Sequence, residues 1–394
     1  MAKKEFGFTR QNTGLSRLFP IFFLVLGEAM LTVNQTNVSS VYLPISNEFN
    51  TGVYGLGILT SALFLSYGLF EVPGGILAIS SGPKRIAVIG FTLNTLAVIG
   101  SSFSSQFSIL VLLRFVSGIG SAFAFPTILV LIVKQLKEGS EGLGSGWTVG
   151  WSSLGAALGL IVWPILAELL GWRISILFAG LLDLIPLLAI LALVKDTKIA
   201  MQPQILTRIK KVVTDKRLAL VGLALFGAGY GFSIVSNFVV YYLEQLLGTS
   251  PDLAGLIAAL SSIVPVFAGP LIGRSHDRVK RVRLYFLLAA VVMALGVGII
   301  AIMNLYVVIA SGIALGFALG IYFTLGFALA KSYSQNEYES LGVAWVDSFS
   351  LIGGIVSPIL FSLVVLDYGY PLAWIFGGIG SFLPVLPLLI FLKE

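Results

Sequence analysis

The sequence predicts an all-helical membrane protein in which twelve transmembrane helices form two pseudo-symmetric six-helix bundles. Three observations predict this fold class. The 394-residue chain is 57% hydrophobic and only 11% charged, with a mean hydropathy of +0.99, whereas soluble domains are about 25% charged. Apolar runs long enough to cross a bilayer recur along the whole chain. One polar, basic stretch divides these runs into two sets of equal number.

Each apolar run is long enough for one helix, because a hydrocarbon core about 30 Å thick needs about 20 residues at 1.5 Å per residue. Only helices and closed barrels satisfy their backbone hydrogen bonds in lipid. The runs are too long for barrel strands and do not alternate, so we expect helices. They cover residues 18–43, 54–79, 86–103, 107–133, 147–167, 173–194, 218–243, 253–273, 284–303, 305–330, 340–365 and 371–392.

The dividing stretch, residues 195–217, contains seven of the 24 Lys and Arg residues. We interpret it as a cytoplasmic linker between an N-terminal bundle (1–194) and a C-terminal bundle (218–394). The stretch GILAISSGPKR begins at Gly75 and the similar GRSHDRVKRVR begins at Gly273, 198 residues later. This offset is half the chain, which fits two bundles related by a parallel repeat.

Loop charge predicts the orientation. If the N-terminus is cytoplasmic, 22 of the 24 basic residues fall in cytoplasmic loops and tails, Arg173 lies outside and Arg114 lies within a helix. The positive-inside rule then places both termini in the cytoplasm of a multi-pass cell-membrane protein. It also explains the net charge of +6, so we expect contact with membrane lipids and no nucleic-acid partner. The first apolar run is too long for a cleaved signal peptide.

Composition argues against several kinds of chemistry. The chain has no Cys and one His, so we expect no metal site and no cofactor. No nucleophile, base or metal-ligand cluster appears, and we therefore do not expect an enzyme. The glycines of the stretch 142–146 follow no strand, which argues against a nucleotide loop and ATP drive.

Several spaced motifs carry a family resemblance. The loop after the second predicted helix has Gly75, Leu77, Ala78, Gly82, Lys84 and Arg85. The corresponding loop of the second half has Gly273, Asp277, Arg278, Arg281 and Arg283. The fourth helix has Arg114, Gly118 and Gly120, and the fifth has Gly155, Ala156 and Gly159. With these motifs the chain resembles the major facilitator superfamily over its whole length.

The resemblance implies a monomeric secondary active transporter that moves a small solute by alternating access. Two departures matter. Ile79 stands where the family's first-half signature has an acid, and Ala156 stands where exporters have a proline. The second departure argues against export. The second helix, with Phe64, Ser66, Tyr67, Pro73 and Gly75, resembles branches that take up organic and inorganic anions.

Ionisable residues inside the apolar segments are costly and therefore informative. At 1.5 Å per residue, Glu28 lies about 15 Å from the cytoplasmic edge and Arg114 about 10 Å from the outer edge, so their depths differ by about 5 Å. We expect Glu28 to carry protons and Arg114 to act as counter-charge or substrate anchor. Asp347 is expected to be a second proton site or an interbundle contact. A purely structural Glu28–Arg114 pair is the alternative. Asp183 is expected to face a polar neighbour, and Glu71 to hydrogen-bond at the bundle interface, with a role in transport gating as its alternative.

Polar residues at mid-depth suggest the rest of the site. We expect Asn34, Tyr230, Asn237 and Tyr322 to contact substrate, although such side chains bond neighbouring helices at least as often. On the cytoplasmic side, charge pairs between Asp277 and Arg278 or Arg281 are expected to form a gate. The matching first-half residues are Gly75, Lys84 and Arg85.

The expected function is proton-coupled uptake of a small organic anion held by Arg114. An exporter of amphipathic or cationic compounds is the alternative, since Glu28, Asp347 and the many aromatic residues suit it. A receptor that binds a ligand without moving it is a third and remote alternative, because the loops and termini are short.

Overall fold

The computed structural model describes residues 15–135, 141–194, 210–279, 281–334 and 339–392. Within these ranges the chain forms helices and no strands, which confirms the all-helical prediction. The helices are α1 (Leu15–Ser40), α2 (Tyr42–Phe49), α3 (Gly52–Ser81), α4 (Pro83–Ser101), α5 (Phe107–Gln135), α6 (Glu141–Leu170), α7 (Trp172–Leu193), α8 (Lys216–Leu247), α9 (Pro251–Val279), α10 (Val282–Ile299), α11 (Leu305–Tyr333), α12 (Glu339–Phe382) and α13 (Leu386–Phe391).

Twelve membrane spans follow from these helices. Over the described ranges, ten stretches are long and apolar enough to cross a bilayer. One of them, Leu341–Phe391, has 51 residues and would measure about 75 Å as one helix. Gly369 interrupts α12 with a φ of 81°, a conformation that glycine adopts readily, and the chain forms two spans there. The 19-residue α4 completes the twelve.

Helix ends differ from the predicted bounds in two places. The first predicted helix, 18–43, ends early at Ser40, and a separate short helix, α2, follows it. The predicted linker ends late, because α8 begins at Lys216 and the Asp215 side chain accepts a hydrogen bond from the Arg217 backbone N–H. Residues 195–209 of that linker lie outside the described ranges.

Small residues let the helices of each bundle pack closely. In the first bundle, a Cβ atom on Gly155 of α6 would collide with the Ala29 carbonyl oxygen of α1. In the second, a Cβ atom on Gly229 of α8 would collide with the Ser350 carbonyl oxygen of α12. Backbones this close are typical of membrane helices, which associate by packing rather than by the hydrophobic effect.

The two bundles meet mainly where α1 packs on α8, α3 on α12 and α6 on α9, and α2 and α3 also touch α8. Gly255 of α9 packs directly on the Leu160 carbonyl of α6. The rings of Tyr42 and Tyr241 pack edge to face with centroids 5.4 Å apart. These contacts lie toward the end of the molecule that carries α2, here called the α2 side. The opposite end, where α7 leads toward α8, is called the linker side.

A small charged cluster on the α2 side fixes α2 against its own bundle. Arg173 Nη2 lies 2.5 Å from Glu48 Oε1, and Trp172 Nε1 donates to Glu48 Oε2 at 2.8 Å. Arg173 Nη1 also donates to the Ser102 carbonyl at 2.9 Å. The bond from Arg173 holds the pKa of the Glu48 carboxyl below its usual value, against the opposing effect of partial burial. The cluster therefore joins α2, α7 and the end of α4.

We expect the Glu48→Gln variant to unfold at a slightly lower temperature than the wild type at pH 7. A lowered pKa means that the carboxylate stabilises the fold above its unfolded pKa of about 4.3, and that this contribution is lost as the pH falls. Because the Arg173 and Glu48 side chains are 34% and 43% exposed, the loss should stay below about 1 kcal/mol. Thermal melts in detergent should show the difference at pH 7 and no difference near pH 3. An equal difference at both pH values would contradict this account.

Candidate functional site

Glu28 lies in the middle of α1 and is completely buried. Ser152 of α6 donates a hydrogen bond to Glu28 Oε1 at 2.6 Å, and Oε2 has no partner among the described residues. The close packing of α1 on α6 brings Ser152 within reach. Burying a carboxyl group with one unsatisfied oxygen costs free energy. Binding a proton, a cation or a polar group of a solute would lower that cost.

Two further carboxyl groups, one from each bundle, share a neighbouring tyrosine with Glu28. The Tyr67 side chain of α3 is buried and lies within electrostatic range of Glu28, Glu71 and Asp347. Glu71 of α3 is itself within range of Asp347 of α12. We call Glu28, Glu71 and Asp347 the carboxylate cluster. Its members belong to α1, α3 and α12, so the cluster lies where the two bundles meet.

The packing of α3 on α12 explains why Glu71 and Asp347 meet. Ser61 Oγ donates to the Ile355 carbonyl at 2.9 Å, and Phe64 approaches Gly354. The two helices therefore run antiparallel, and residue numbers that increase along α3 match residue numbers that decrease along α12. Continuing two turns toward the linker side brings Glu71 level with Asp347. The sequence predicted that each residue is embedded but could not predict this register.

Arg114 does not join the carboxylate cluster. Its Nη1 donates to the Asn34 carbonyl at 2.6 Å and its Nη2 to the Gln35 carbonyl at 3.2 Å. Those carbonyls lie six and seven residues beyond Glu28, about 9 Å along α1. The expected Glu28–Arg114 pair is therefore wrong for this structure: Glu28 bonds Ser152, and the guanidinium bonds the α1 backbone. Its Nε is buried without a partner in the described chain.

Asp183 of α7 is linked to Arg114 by hydrogen bonds that pass through Asn34. Its Oδ2 accepts from Asn34 Nδ2 at 2.6 Å and from Asn94 Nδ2 at 3.1 Å. Asn94 Oδ1 in turn accepts from Ser117 at 2.6 Å. Asn34 thus connects the Arg114 guanidinium, through its carbonyl, with the Asp183 carboxyl, through its amide. The expectation that Asp183 faces polar neighbours is confirmed.

Asn34 therefore lies inside the first bundle and not on a solute-facing surface. Its side chain is 1% exposed, and Asn37 Nδ2 donates to its Oδ1 at 3.1 Å. The prediction that Asn34 contacts substrate is not supported in this state, because both ends of its amide are already bonded. Depth along the helix placed this residue correctly, but its facing direction depended on where α7 packs.

The three substrate contacts predicted in the second bundle lie in different surroundings. Asn237 lies at the meeting surface, where its Oδ1 accepts from Thr60 of the first bundle at 3.4 Å. The Tyr230 ring instead packs against Gly380 and stacks on Phe226 within the bundle. Tyr322 is completely buried against Phe286, with ring centroids 5.8 Å apart. Of these three residues, only Asn237 reaches the first bundle.

The predicted gate is only partly described. Lys84 Nζ donates to the Leu191 carbonyl at 2.8 Å, so it contacts its own bundle. Arg85 is exposed, Gly75 is half-buried, and Arg281 is exposed immediately before α10. The Asp277 and Arg278 side chains lie outside the described part of the structure. Pairing between these residues remains a prediction.

Comparison with known proteins gives one family and several distant relatives. The family model described as Major Facilitator Superfamily matches residues 24–231 and 221–394. The chain is 28% identical over 152 residues to "Probable sulfoacetate transporter SauU" of Cupriavidus necator, covering 39% of this chain and 35% of that one. It is 27% identical over 259 residues to "Quinolone resistance protein NorA" of Staphylococcus aureus, covering 62% of this chain and 64% of that one. These alignments span less than two thirds of either relative.

Among solved structures, a bacterial homolog of the human lysosomal transporter Spinster, in an inward-facing and occupied conformation, superimposes with a TM-score of 0.80. The two chains are 14% identical, and the match covers 96% of this chain and 97% of that one. At this identity the likeness concerns the fold alone.

We expect Asp183→Leu to destabilise the protein strongly and Asp183→Asn to do so much less. Leucine leaves the buried amides of Asn34 and Asn94 without their acceptor, at about 1–3 kcal/mol for each unsatisfied group. Asparagine keeps one oxygen for both donors. Thermal melts in detergent should rank wild type, Asn and Leu in that order. Asp367→Leu, at an exposed position on α12, is the control. An Asp183→Leu variant as stable as the wild type would contradict the structural role.

Proposed function

The chain belongs to the Major Facilitator Superfamily, and from this premise we propose that it is a proton-coupled secondary transporter of a small solute. The two bundles rock about their meeting surface and expose a central site to one side of the membrane at a time. The observation that carries this proposal is the carboxylate cluster. Acids from both bundles converge there, so their charge state and the relative position of the bundles are linked. Family membership implies a transporter rather than an enzyme.

Glu28 is the proposed proton-carrying residue. Its carboxyl group is completely buried, bonded on one oxygen to Ser152 and, within the described chain, unpartnered on the other. An uncompensated charge at this depth is costly, so the group gains from binding either a proton or a cationic solute. A site that can hold one or the other, but not both, exchanges protons for solute as the bundles rock.

The charges at the meeting surface favour a cationic, amphipathic solute. Glu28, Glu71 and Asp347 lie within range of one another or of Tyr67. The guanidinium of Arg114, the basic residue embedded in the first bundle, is directed at the α1 backbone. The similarity to a protein named for quinolone resistance agrees with a drug-like, amphipathic solute. The solute therefore meets carboxyl groups and aromatic rings.

Proton-coupled uptake of a small organic anion is the second candidate. The Nε of Arg114, unpartnered among the described residues, and the similarity to a protein named as a sulfoacetate transporter favour it. Under this alternative Arg114 must release at least one α1 carbonyl before it can hold a carboxylate or sulfonate. Ala156, in place of the proline of exporters, also agrees with uptake.

The remaining parts of the proposal come from the sequence. The protein acts as a monomer in the cell membrane with both termini in the cytoplasm. Residues 195–217 link the bundles on that side, and Asp277 with Arg278 and Arg281 forms a gate there. The linker side is then the cytoplasmic side.

Proteoliposomes with a pH-sensitive dye inside test the proposal. Adding tetraphenylphosphonium outside should alkalinise the interior, because entering cations exchange for departing protons. Glu28→Gln should abolish this signal, whereas Glu168→Gln, at an exposed acid of α6, should keep it. Sulfoacetate should give no signal.

Two other outcomes decide between the candidates. Acidification on adding sulfoacetate, lost in Arg114→Ala, would replace the cationic solute with the organic anion. Proton movement that is equal in wild type and Glu28→Gln would remove Glu28 from the coupling role.

A further inference from the structure

The contact between α3 and α12 changes character along its length. On the α2 side the two backbones touch: a Cβ atom on Gly57 would lie 2.5 Å from Ser362 Oγ and 2.9 Å from the Pro358 carbonyl. Ser61 bonds the Ile355 carbonyl one turn further along. Nearer the linker side the contact ends in two acids, Glu71 and Asp347, whose side chains are half-buried. The interface is thus closely packed through small residues at one end, and it has two acidic side chains at the other.

Neighbouring helices supply no counter-charge for this acid pair in the described structure. Tyr67 on α3 lies within electrostatic range of both acids and of Glu28 on α1, and α5 packs against this part of α3 with Phe123 and Phe125. Several charged or titratable residues of the other helices that pack on α3 or α12 contact other groups. These contacts are Lys84 with Leu191, Arg217 with Asp215, Arg283 with Leu392, Tyr230 with Gly380, Tyr322 with Phe286 and Tyr333 with Arg217.

We propose that Glu71 and Asp347 form a shared-proton latch, which lets α3 and α12 close on the linker side only when the pair holds at least one proton. The inference rests on the proposed alternating access. It assigns a role to Glu71, on which the proton-carrying function of Glu28 does not depend.

The physical reason is the effect of closure on two like charges. When the linker-side halves of α3 and α12 approach, the carboxyl groups come closer and lose water. Two carboxylates in such a site cannot both stay ionised, and one proton shared between them converts repulsion into a hydrogen bond. Closure therefore takes up a proton from the linker side, and opening returns it. The closed population must rise as the pH falls.

The latch also accounts for a departure in the first-half signature. Ile79, where the family has an acid, cannot form a charge pair at the end of α3. Glu71 lies eight residues earlier on the same helix, about two turns toward the membrane centre. An acid is therefore present on α3, but it faces another acid of the opposite bundle, and protons rather than basic residues control the contact.

Spin-label distances test the latch directly, and the absence of Cys means that no native residue must be replaced first. Ser81→Cys and Ser332→Cys place labels at exposed positions on the linker-side ends of α3 and α11, in opposite bundles. Pulsed electron–electron double resonance measures the distance between the two labels. Without solute, the population with the short distance should rise at least fivefold from pH 8 to pH 5.

Removing one acid should remove this pH response. Glu71→Gln and Asp347→Asn, each in the labelled background, should show the short distance at all pH values. Glu71→Lys creates an opposite-charge pair and should favour the short distance even at pH 8. Asp367→Asn makes the same change as Asp347→Asn at an exposed position of α12 and should titrate like the wild type.

The latch is wrong if the wild-type distances do not change with pH, or if both neutral variants keep the wild-type response. The distances are measured without solute, so this result is separate from transport. Proton-coupled transport in liposomes together with flat distances would reject the latch alone. Titrating distances without transport would reject the proposed function and retain the latch.

Discussion

The structure depends on one constraint: a polar group inside a membrane protein must find its partner within the protein. The first bundle meets it with a continuous set of hydrogen bonds. Arg114 donates to the α1 backbone, Asn34 connects that backbone to Asp183, and Asn94 joins the same carboxyl group. One guanidinium and one carboxyl group are thus buried in the same set of hydrogen bonds without direct contact. Four helices, α1, α4, α5 and α7, are held together by these bonds.

The same constraint identifies the residues that remain free to act. Arg114 and Asp183 bond within the first bundle, and the carboxylate cluster, Glu28, Glu71 and Asp347, lies outside this set of hydrogen bonds. They lie where the bundles meet, and the free energy needed to keep them ionised depends on how close the bundles come. In the proposed cycle, the hydrogen bonds let the first bundle move as a unit. The carboxyl groups at the meeting surface make that movement sensitive to protons and to cations.

Much of the fold was predictable from the sequence, because lipid fixes helix length and forbids unpaired backbone. The twelve spans and the embedded positions of Glu28, Arg114 and Asp183 follow from that constraint. The direction in which each side chain points could not be predicted in this way. Asn34 and Tyr322 are at suitable depths but point into their own bundles, toward α7 and α10. The pairing of Glu71 with Asp347 depends on a contact between residues almost 280 positions apart, which no local pattern contains.

The most direct measurement is proton release on solute binding. Purified protein in detergent and very weak buffer, with a pH indicator, would be titrated with tetraphenylphosphonium. The account predicts that the wild type releases protons as the cation binds and that Glu28→Gln binds it without release. Binding without proton release in the wild type, or equal release in the variant, would contradict the claim that the solute and the proton compete at this carboxyl group.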